Sequence, residues 1–348
     1  MTTKDRLTRK ISHDIGIDLG TANTLVHVKG VGIVINEPSV VAVHKNSHKV
    51  IAIGHEAKAM IGKTPADIVA ARPLVDGVVS DFEITEQMLK HFLDKVHKKH
   101  RVLWNRPRVV IGLPSDVTEV EQRAVEEAAT SAGARQTYLI QEPMAAAIGS
   151  GLDVLGSDGT MIIDIGGGST EIAMMALGDV VATRSVRVAG DEFSEAIMRL
   201  ARDEYNLQIG ETTAENVKVK VGSVYHEKEN RELVIRGRNI LSGLPQQITI
   251  DSDSVRPILT RQLQPVVDAV RSALEEAPAE LVSDIQASGI TIAGGGGLIG
   301  GLADLIEHET RVKTTVSDIA LTAVVQGCAI ALDQLDAYEK VLIQIDEL

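Results

Sequence analysis

At 348 residues, 44% hydrophobic and 24% charged, the chain has the apolar content to bury more than one core, and its length points to two domains. A formal net charge of −13 with only 2% aromatic residues excludes general nucleic-acid binding, because most of the surface would repel a phosphate backbone and no stacking platform exists. No apolar run approaches the roughly 18–20 residues that span a bilayer, and Met1–Lys10 lacks the apolar core of a signal peptide, so a soluble cytoplasmic protein is expected.

In chain order, Ile15–Asp18, Thr24–Val28 and Gly32–Ile35 predict a three-strand meander. Its first turn, Leu19-Gly20-Thr21-Ala22-Asn23, is built of small residues that let the chain reverse with its amides outward, a geometry that captures anions. Asp18 ends the strand beside that turn. A carboxylate next to a phosphate is repulsive unless a cation lies between them, which implies a hydrated Mg²⁺. Val31–Val43 and Lys49–Ile53 read as short strands broken at Glu37-Pro38 and by the polar loop Lys45–His48.

Met88, Leu89, Phe92, Leu93 and Val96 recur at helical spacing within a helix expected over Asp81–Lys99. Lys90, Lys95, Lys98, Lys99, Arg101, Arg106 and Arg108, with three histidines and only Asp94 opposing them, make this region basic. Leu103-Trp104, holding the single tryptophan, lies between Arg101 and Arg106; an indole flanked by cations suits an anionic lipid surface, the alternative being a buried cap on the next strand. That strand is Arg108–Leu113. A helix over Glu119–Ala132 stops at Gly133, and the strand Thr137–Ile140 runs into Gln141-Glu142-Pro143, where Pro143 fits the first turn of another helix. Glu142 at this junction either complements the helix dipole or, facing a γ-phosphate, aligns a water for in-line attack.

After the Leu152–Gly159 linker the plan repeats, with strands at Thr160–Ile165, Glu171–Ala176 and Val180–Val188. Asp164-Ile165-Gly166-Gly167-Gly168-Ser169-Thr170 restates the first loop: apolar run, Asp, apolar residue, Gly, and Thr six positions after the Asp. Two such loops point to a nucleotide clamped between two halves, with Asp18 and Asp164 sharing one hydrated Mg²⁺. Helices are expected at Ser194–Tyr205, preceded by a Gly190-Asp191 turn near the phosphates, and at Thr213–Val224. On the latter, Glu215 and Lys218 share a face, either as a surface ion pair or with Glu215 on ribose hydroxyls and the Lys218 stem over the base. Glu232–Ile250 alternates like strands of an inserted subdomain, and Val255–Glu276 is a long helix. Ser288–Ala293 is a strand running into Gly294-Gly295-Gly296-Gly297, where bare backbone can lie flat against a purine or its ribose. The chain is expected to close on a helix over Leu321–Leu332, with Cys328, the single cysteine, packed in its core.

Taken together, Asp18-Leu-Gly-Thr, Gln141-Glu-Pro, Asp164-Ile-Gly-Gly-Gly and Gly294–Gly297 resemble the phosphate, connecting, phosphate and adenosine motifs of the actin-like ATPase superfamily. Within it the chain is similar to the MreB family of bacterial actins over nearly its whole length, including Asn36-Glu-Pro-Ser-Val40, Met60-Ile-Gly-Lys-Thr-Pro65, Ala189-Gly-Asp-Glu192 and Ser242-Gly-Leu-Pro245. The resemblance implies an α/β fold of two similar actin-like (ribonuclease H-like) lobes, with four subdomains around a central nucleotide cleft. These would be IA (12–32, 75–150 and 325–348), IB (33–74), IIA (151–187 and 252–324) and IIB (188–251), after a flexible N-terminus at 1–11.

It further implies ATP hydrolysis to ADP and phosphate, with Gly20, Thr21, Ala22, Asn23, Gly166, Gly167 and Gly168 on the phosphates. Asp18 and Asp164 would hold Mg²⁺ through water, Glu142 would orient the attacking water, and Glu215, Lys218 and Gly294–Gly297 would take ribose and adenine. Partners implied are other copies in double filaments, anionic lipids of the inner membrane met through Leu103 and Trp104, and rod-complex membrane proteins such as RodZ. The implied role is organising cell-wall synthesis in rod-shaped cells from the cytoplasmic face of the membrane. Gln141 replaces a usual glutamate, Lys220 another, and Ala320 a usual proline. The competing reading is a monomeric ATPase of the same fold, a small-molecule kinase or a chaperone; neither a second-substrate base nor a separate substrate domain is marked in the sequence.

Overall fold

The structure, a computed structural model, describes residues 14–63, 65, 67–75, 78–100, 106–226 and 229–343. Residues 1–11 and the Leu103-Trp104 stretch, for which expectations were stated, lie outside these. The chain divides into two units, one holding residues up to Ser157 with Met175–Val180 and Leu321 onward, the other Asp158–Met174 and Val181–Ala320. No described helix is long and apolar enough to cross a membrane.

The expected first meander is present as β1 (Ile15–Leu19), β2 (Asn23–Val28) and β3 (Gly32–Pro38). The chain then forms β4 (Val41–His44), β5 (Val50–Ile53), α1 (His55–Met60) and β6 (Ile68–Ala71), in which the three strands make a small sheet of order β5-β4-β6. A short pair, β7 (Leu74–Val75) and β8 (Val78–Val79), precedes α2 (Phe82–His100). Asp81 starts this helix by accepting the Ile84 amide at 3.0 Å, and the predicted stripe of Met88, Leu89, Phe92, Leu93 and Val96 is buried. Next come β9 (Arg108–Leu113), α3 (Glu119–Ser131), β10 (Gln136–Gln141) and α4 (Glu142–Gly149). A capping box defines the start of α3: Thr118 Oγ1 accepts from the Glu121 amide, and the Glu121 carboxylate accepts from the Thr118 amide at 2.8 Å.

The second unit carries β11 (Thr160–Ile165), most of β12 (Thr170–Ala176) and β13 (Asp179–Val186), α5 (Gly190–Tyr205), β14 (Leu207–Gln208), α6 (Glu211–Val221), β15 (Glu232–Asn239) and β16 (Pro245–Asp251). It continues through α7 (Ser252–Glu276), α8 (Ala279–Ser288), β17 (Ile290–Ala293), α9 (Leu302–Thr310) and β18 (Thr314–Val316), and the first unit is completed by α10 (Ala323–Asp333), α11 (Leu335–Tyr338) and β19 (Leu342–Ile343). Several boundaries correct the sequence reading. Helix α5 begins four residues before Ser194, because the Glu192 carboxylate caps the Ala189 amide at 2.8 Å. Helix α7 begins at Ser252 because Asp251 caps it by accepting the Ser254 amide at 2.8 Å. Ser288 ends α8, a helix the sequence reading passed over, so β17 starts at Ile290. The helix expected over Leu321–Leu332 begins at Ala323 as α10, and the described chain ends on β19 paired with β10, not on a helix.

The two main sheets share one plan. The first has the order β19-β10-β9-β1-β2-β3 and the second β13-β12-β11-β17-β18, so each is a meander extended beyond its first strand by later strands. Strands β1, β9 and β10 run parallel, with Asp18 beside Gly112 and Gly112 beside Ile140; β11, β17 and β18 run parallel, with Asp164 beside Ala293. Parallel strands must be joined through crossovers, and their carboxyl ends are left at one edge, where α/β proteins bind ligands. The helix pair α4 and α10 packs backbone to backbone: a Cβ at Gly327 would lie 1.8 Å from the Ala145 carbonyl oxygen. Cys328 is fully buried on α10, as expected.

Candidate nucleotide site

In the first unit the edge formed by β1, β9 and β10 collects Asp18, the turn Gly20–Ala22, and Glu142 at the start of α4. Burial pushes the Asp18 carboxyl up to about 7. The Glu142 stem passes over Gly112, where a Cβ would meet its Cγ at 3.5 Å. Beneath both lies the Cys328 thiol, raised far above its usual range first by burial and then by Asp18 and Glu142, and donating weakly to the Ile17 carbonyl at 3.6 Å. At the end of β10, Gln141 Oε1 is buried without a hydrogen-bond partner. That unpaired acceptor next to Glu142 fits a site completed by a bound water or ligand group.

The turn itself is held from behind. Ser39, just after β3, donates its hydroxyl to the Gly20 carbonyl at 2.6 Å and its amide to the Ala22 carbonyl at 3.1 Å. Thr24, the threonine of the repeated pattern, lies 2.9 Å from the Ser39 hydroxyl, and both side chains are buried. Thr21 is buried, Gly20 and Ala22 are half-buried, and Asn23 is exposed.

The second unit builds an analogous edge from different parts. The Gly166 amide closes the turn on the Ser169 carbonyl at 2.9 Å. The first two amides of α5, Gly190 and Asp191, donate to the carbonyls of Gly166 and Gly167 at 3.2 and 2.8 Å. The Gly190-Asp191 pair is thus the first turn of α5, and these two amides serve the loop's carbonyls. Thr170, fully buried, donates to the Val188 carbonyl at 2.7 Å.

Lys218 on α6 donates to the Gly190 carbonyl at 2.7 Å and the Ser194 hydroxyl at 3.2 Å, and pairs with Glu215 at 2.6 Å. The pair is therefore a partly buried brace on the start of α5, with the Lys218 side chain 10% exposed and Glu215 45%. Gly294, with φ +78°, abuts the same loop: a Cβ there would lie 2.2 Å from the Ile165 carbonyl oxygen and 2.5 Å from the Asp164 carboxylate. Gly296 and Gly297 are buried against Ile165 and Ile292, so tight packing accounts for them, while Gly295 is exposed.

The sequence reading missed three contributors. Ser39 gave no local signal, since its partners are 15 and 19 residues away. Glu37, buried and paired with Lys95, neutralises part of a stretch that had looked opposed only by Asp94. Gly149 and Gly327 are legible as glycines in helices, but their partner carbonyls are not.

Two sheets of one plan, each carrying a strand-end aspartate followed by a glycine turn, define an actin-like α/β protein. The sequence model of the MreB/Mbl protein family matches residues 12–340, and the chain belongs to that family. It is 47% identical to the cell shape-determining protein Mbl of Bacillus subtilis over 94% of this chain and 98% of that protein. It is equally 47% identical to the cell shape-determining protein MreB of Escherichia coli K12, over 94% and 95%. Among solved structures, MreB5 of Spiroplasma citri bound to ADP superposes with a TM-score of 0.88 at 38% identity, covering 92% of this chain and 96% of that one. The AMPPNP-bound form of MreB5 gives 0.87 at 37% identity over the same shares. A MamK double helical filament shares the fold, with a TM-score of 0.79 at 22% identity, covering 93% of this chain and 99% of that one.

Proposed function

We propose that this protein binds and hydrolyses ATP, polymerises into filaments on the inner face of the cell membrane, and there organises cell-wall synthesis to set rod shape. The observation that carries the reading is the duplicated edge: an aspartate at a strand end and a carbonyl-anchored turn in each unit, in a chain similar to proteins solved with ADP and AMPPNP. The first unit would offer the amides of Gly20–Asn23 to phosphate oxygens, and the second those of Gly167 and Gly168, the Gly166 amide expected there being held by the Ser169 carbonyl. Gly294–Gly297 would lie against adenosine through its exposed member Gly295, and Glu215, with 45% of its side chain exposed, would reach ribose hydroxyls beside Lys218.

Mg²⁺ would be held by Asp18 and Asp164 through water. The residues fit: a buried Asp18 carboxyl raised to about 7 is a group that a divalent charge would stabilise. When bound, the ion neutralises charge on the β- and γ-phosphates. Glu142 would accept a hydrogen bond from the attacking water and align it with the γ-phosphorus, and Gln141 would supply an amide beside it.

Residues 33–74 and 188–251, which contain the small sheets β4–β6 and β14–β16, would be the two small subdomains that meet neighbouring copies. Leu103 and Trp104 would enter anionic lipid, and membrane proteins of the rod complex such as RodZ would be recruited there.

Sedimentation with Mg²⁺-ATP, with Mg²⁺-ADP and with ATP plus anionic liposomes, alongside phosphate release, tests the reading. Nucleotide-dependent pelleting, lipid co-sedimentation and a fall in phosphate release of about 100-fold or more in Glu142→Ala are expected. Hydrolysis without pelleting at any protein concentration would replace it with a monomeric ATPase, and unchanged lipid binding in Trp104→Ala would remove the membrane loop.

A further inference from the structure

We propose that Ser39 is the positioning residue of the first phosphate loop, setting the direction of its amides from outside the site; the inference rests on the reading of Gly20–Asn23 as a phosphate site. The Ser39 hydroxyl has one proton, and the Gly20 carbonyl, which can only accept, takes it at 2.6 Å. The hydrogen between Ser39 and Thr24, 2.9 Å apart, is therefore donated by Thr24. The result is a directed chain, Thr24 hydroxyl to Ser39 hydroxyl to Gly20 carbonyl, inside a dry core where each bond strengthens the next. The Ser39 amide holds the Ala22 carbonyl at 3.1 Å in parallel.

In a trans peptide the carbonyl and the following amide point to opposite sides, and the described residues contain no cis bond. Fixing the carbonyls of Gly20 and Ala22 toward Ser39 therefore turns the amides of Thr21 and Asn23 the other way. Two donors on one residue thus orient two peptide planes of the loop. Ser39 also stands between β3 and β4, at the entrance to the small β4–β6 sheet, so a displacement of that sheet would reach the phosphate loop through Ser39 as well as through the β2–β3 ladder.

The test is calorimetric titration of the full chain with Mg²⁺-ATP and with adenosine, together with thermal melting, for wild type, Ser39→Ala, Thr24→Val and the double variant. Losing one buried hydrogen bond that orients the loop should weaken ATP about tenfold in Ser39→Ala, and about threefold in the volume-conserving Thr24→Val, with adenosine affinity unchanged in both. The double variant leaves no orphaned hydroxyl, so it should regain melting temperature relative to Ser39→Ala while keeping the ATP deficit.

Unchanged ATP affinity in the single variants, an equal loss for adenosine, or recovery of ATP affinity in the double variant overturns the inference. If Ser39→Ala fails to fold, Thr24→Val decides it alone. A wild-type protein that binds adenosine but gains nothing from the triphosphate would instead overturn the phosphate-loop reading itself.

Discussion

The two glycine turns share a sequence pattern and a place at the end of the first strand of a meander, yet they are immobilised by different means. Gly166 and Gly167 are pinned by two backbone amides of a helix start, which is braced in turn by Lys218, and the loop is pressed by Gly294. Gly20 and Ala22 are pinned by one serine, one of whose two bonds comes from a side chain. Backbone donors cannot be lost through most substitutions, so the second loop is the more rigid. In the first, changing one hydroxyl releases the Gly20 carbonyl while the Ser39 amide keeps that of Ala22, and the serine leads into a small sheet. A duplicated site thus has a fixed half and an adjustable half.

The largest effect that would break or support this contrast is at the glycines. Gly294→Ala would place a methyl group 2.2 Å from a backbone carbonyl at a φ of +78°, so neither neighbour nor backbone can yield. ATP affinity should fall more than about 100-fold, with loss of stability in the second unit. Gly20→Ala meets its nearest atom, the Asn23 carbonyl oxygen, at 2.9 Å and has an ordinary negative φ, so only a few-fold loss is expected. Comparable losses in the two variants, measured by titration and melting, would erase the distinction.

Second in size is Lys218→Met. It removes two contacts to the start of α5 and the ion pair with Glu215 on α6, and leaves the Gly190 carbonyl and Ser194 without their ammonium partner. A cost of about 2 kcal/mol in denaturant unfolding is expected, with weaker ATP binding because the donors to Gly166 and Gly167 shift. If stability falls while ATP binding does not, the brace supports only the helix.

How much of this was legible follows from how far each signal travels along the chain. Both aspartates, both turns, the Glu142 junction and the Gly294 loop announce themselves through contiguous residues, and the repeat locates them twice. Thr24 and Thr170 were visible as a matched pair, but their hydroxyls end on different groups, which depends on where β3 ends and where α5 begins. Ser39 and Glu37 lie in the Asn36–Val40 stretch that carries part of the family resemblance, but their partners are 19 and 58 residues away and no local pattern marks those. The start of α5 was hidden because Ala189 has no capping side chain and Glu192 supplies the cap from inside the helix. Two-residue β19 is too short for alternation to register, and it exists because β10 presents an edge to pair with.

The folded state holds the Asp18 proton up to about pH 7 against an ordinary 3.8, so folding favours the protonated form. The penalty for ionising it is absent below that ordinary value, grows between it and about 7, and is complete above. Asp18→Asn should therefore raise the melting temperature of the nucleotide-free protein by a few degrees at pH 8 and by nothing near pH 4. Stabilisation of the wild type by Mg²⁺-ATP should grow as pH rises through 7, and the variant should lose that rise. A pH-independent difference between the two proteins would show that Asp18 is ionised throughout.

The smallest expected effect separates the two threonines most cleanly. Thr170→Val removes the donor to the half-buried Val188 carbonyl and should cost about 1 kcal/mol of stability. Its hydroxyl does not touch the loop carbonyls, which remain with Gly190 and Asp191, so ATP affinity should be unchanged. Thr24→Val, at the matching position of the repeat, should do the opposite: lose little stability, because Ser39 keeps a proton for Gly20, yet weaken ATP through the less constrained serine. Measured side by side, melting and titration of these two variants would distinguish a loop whose geometry depends on a side-chain relay from one whose geometry is set by a helix.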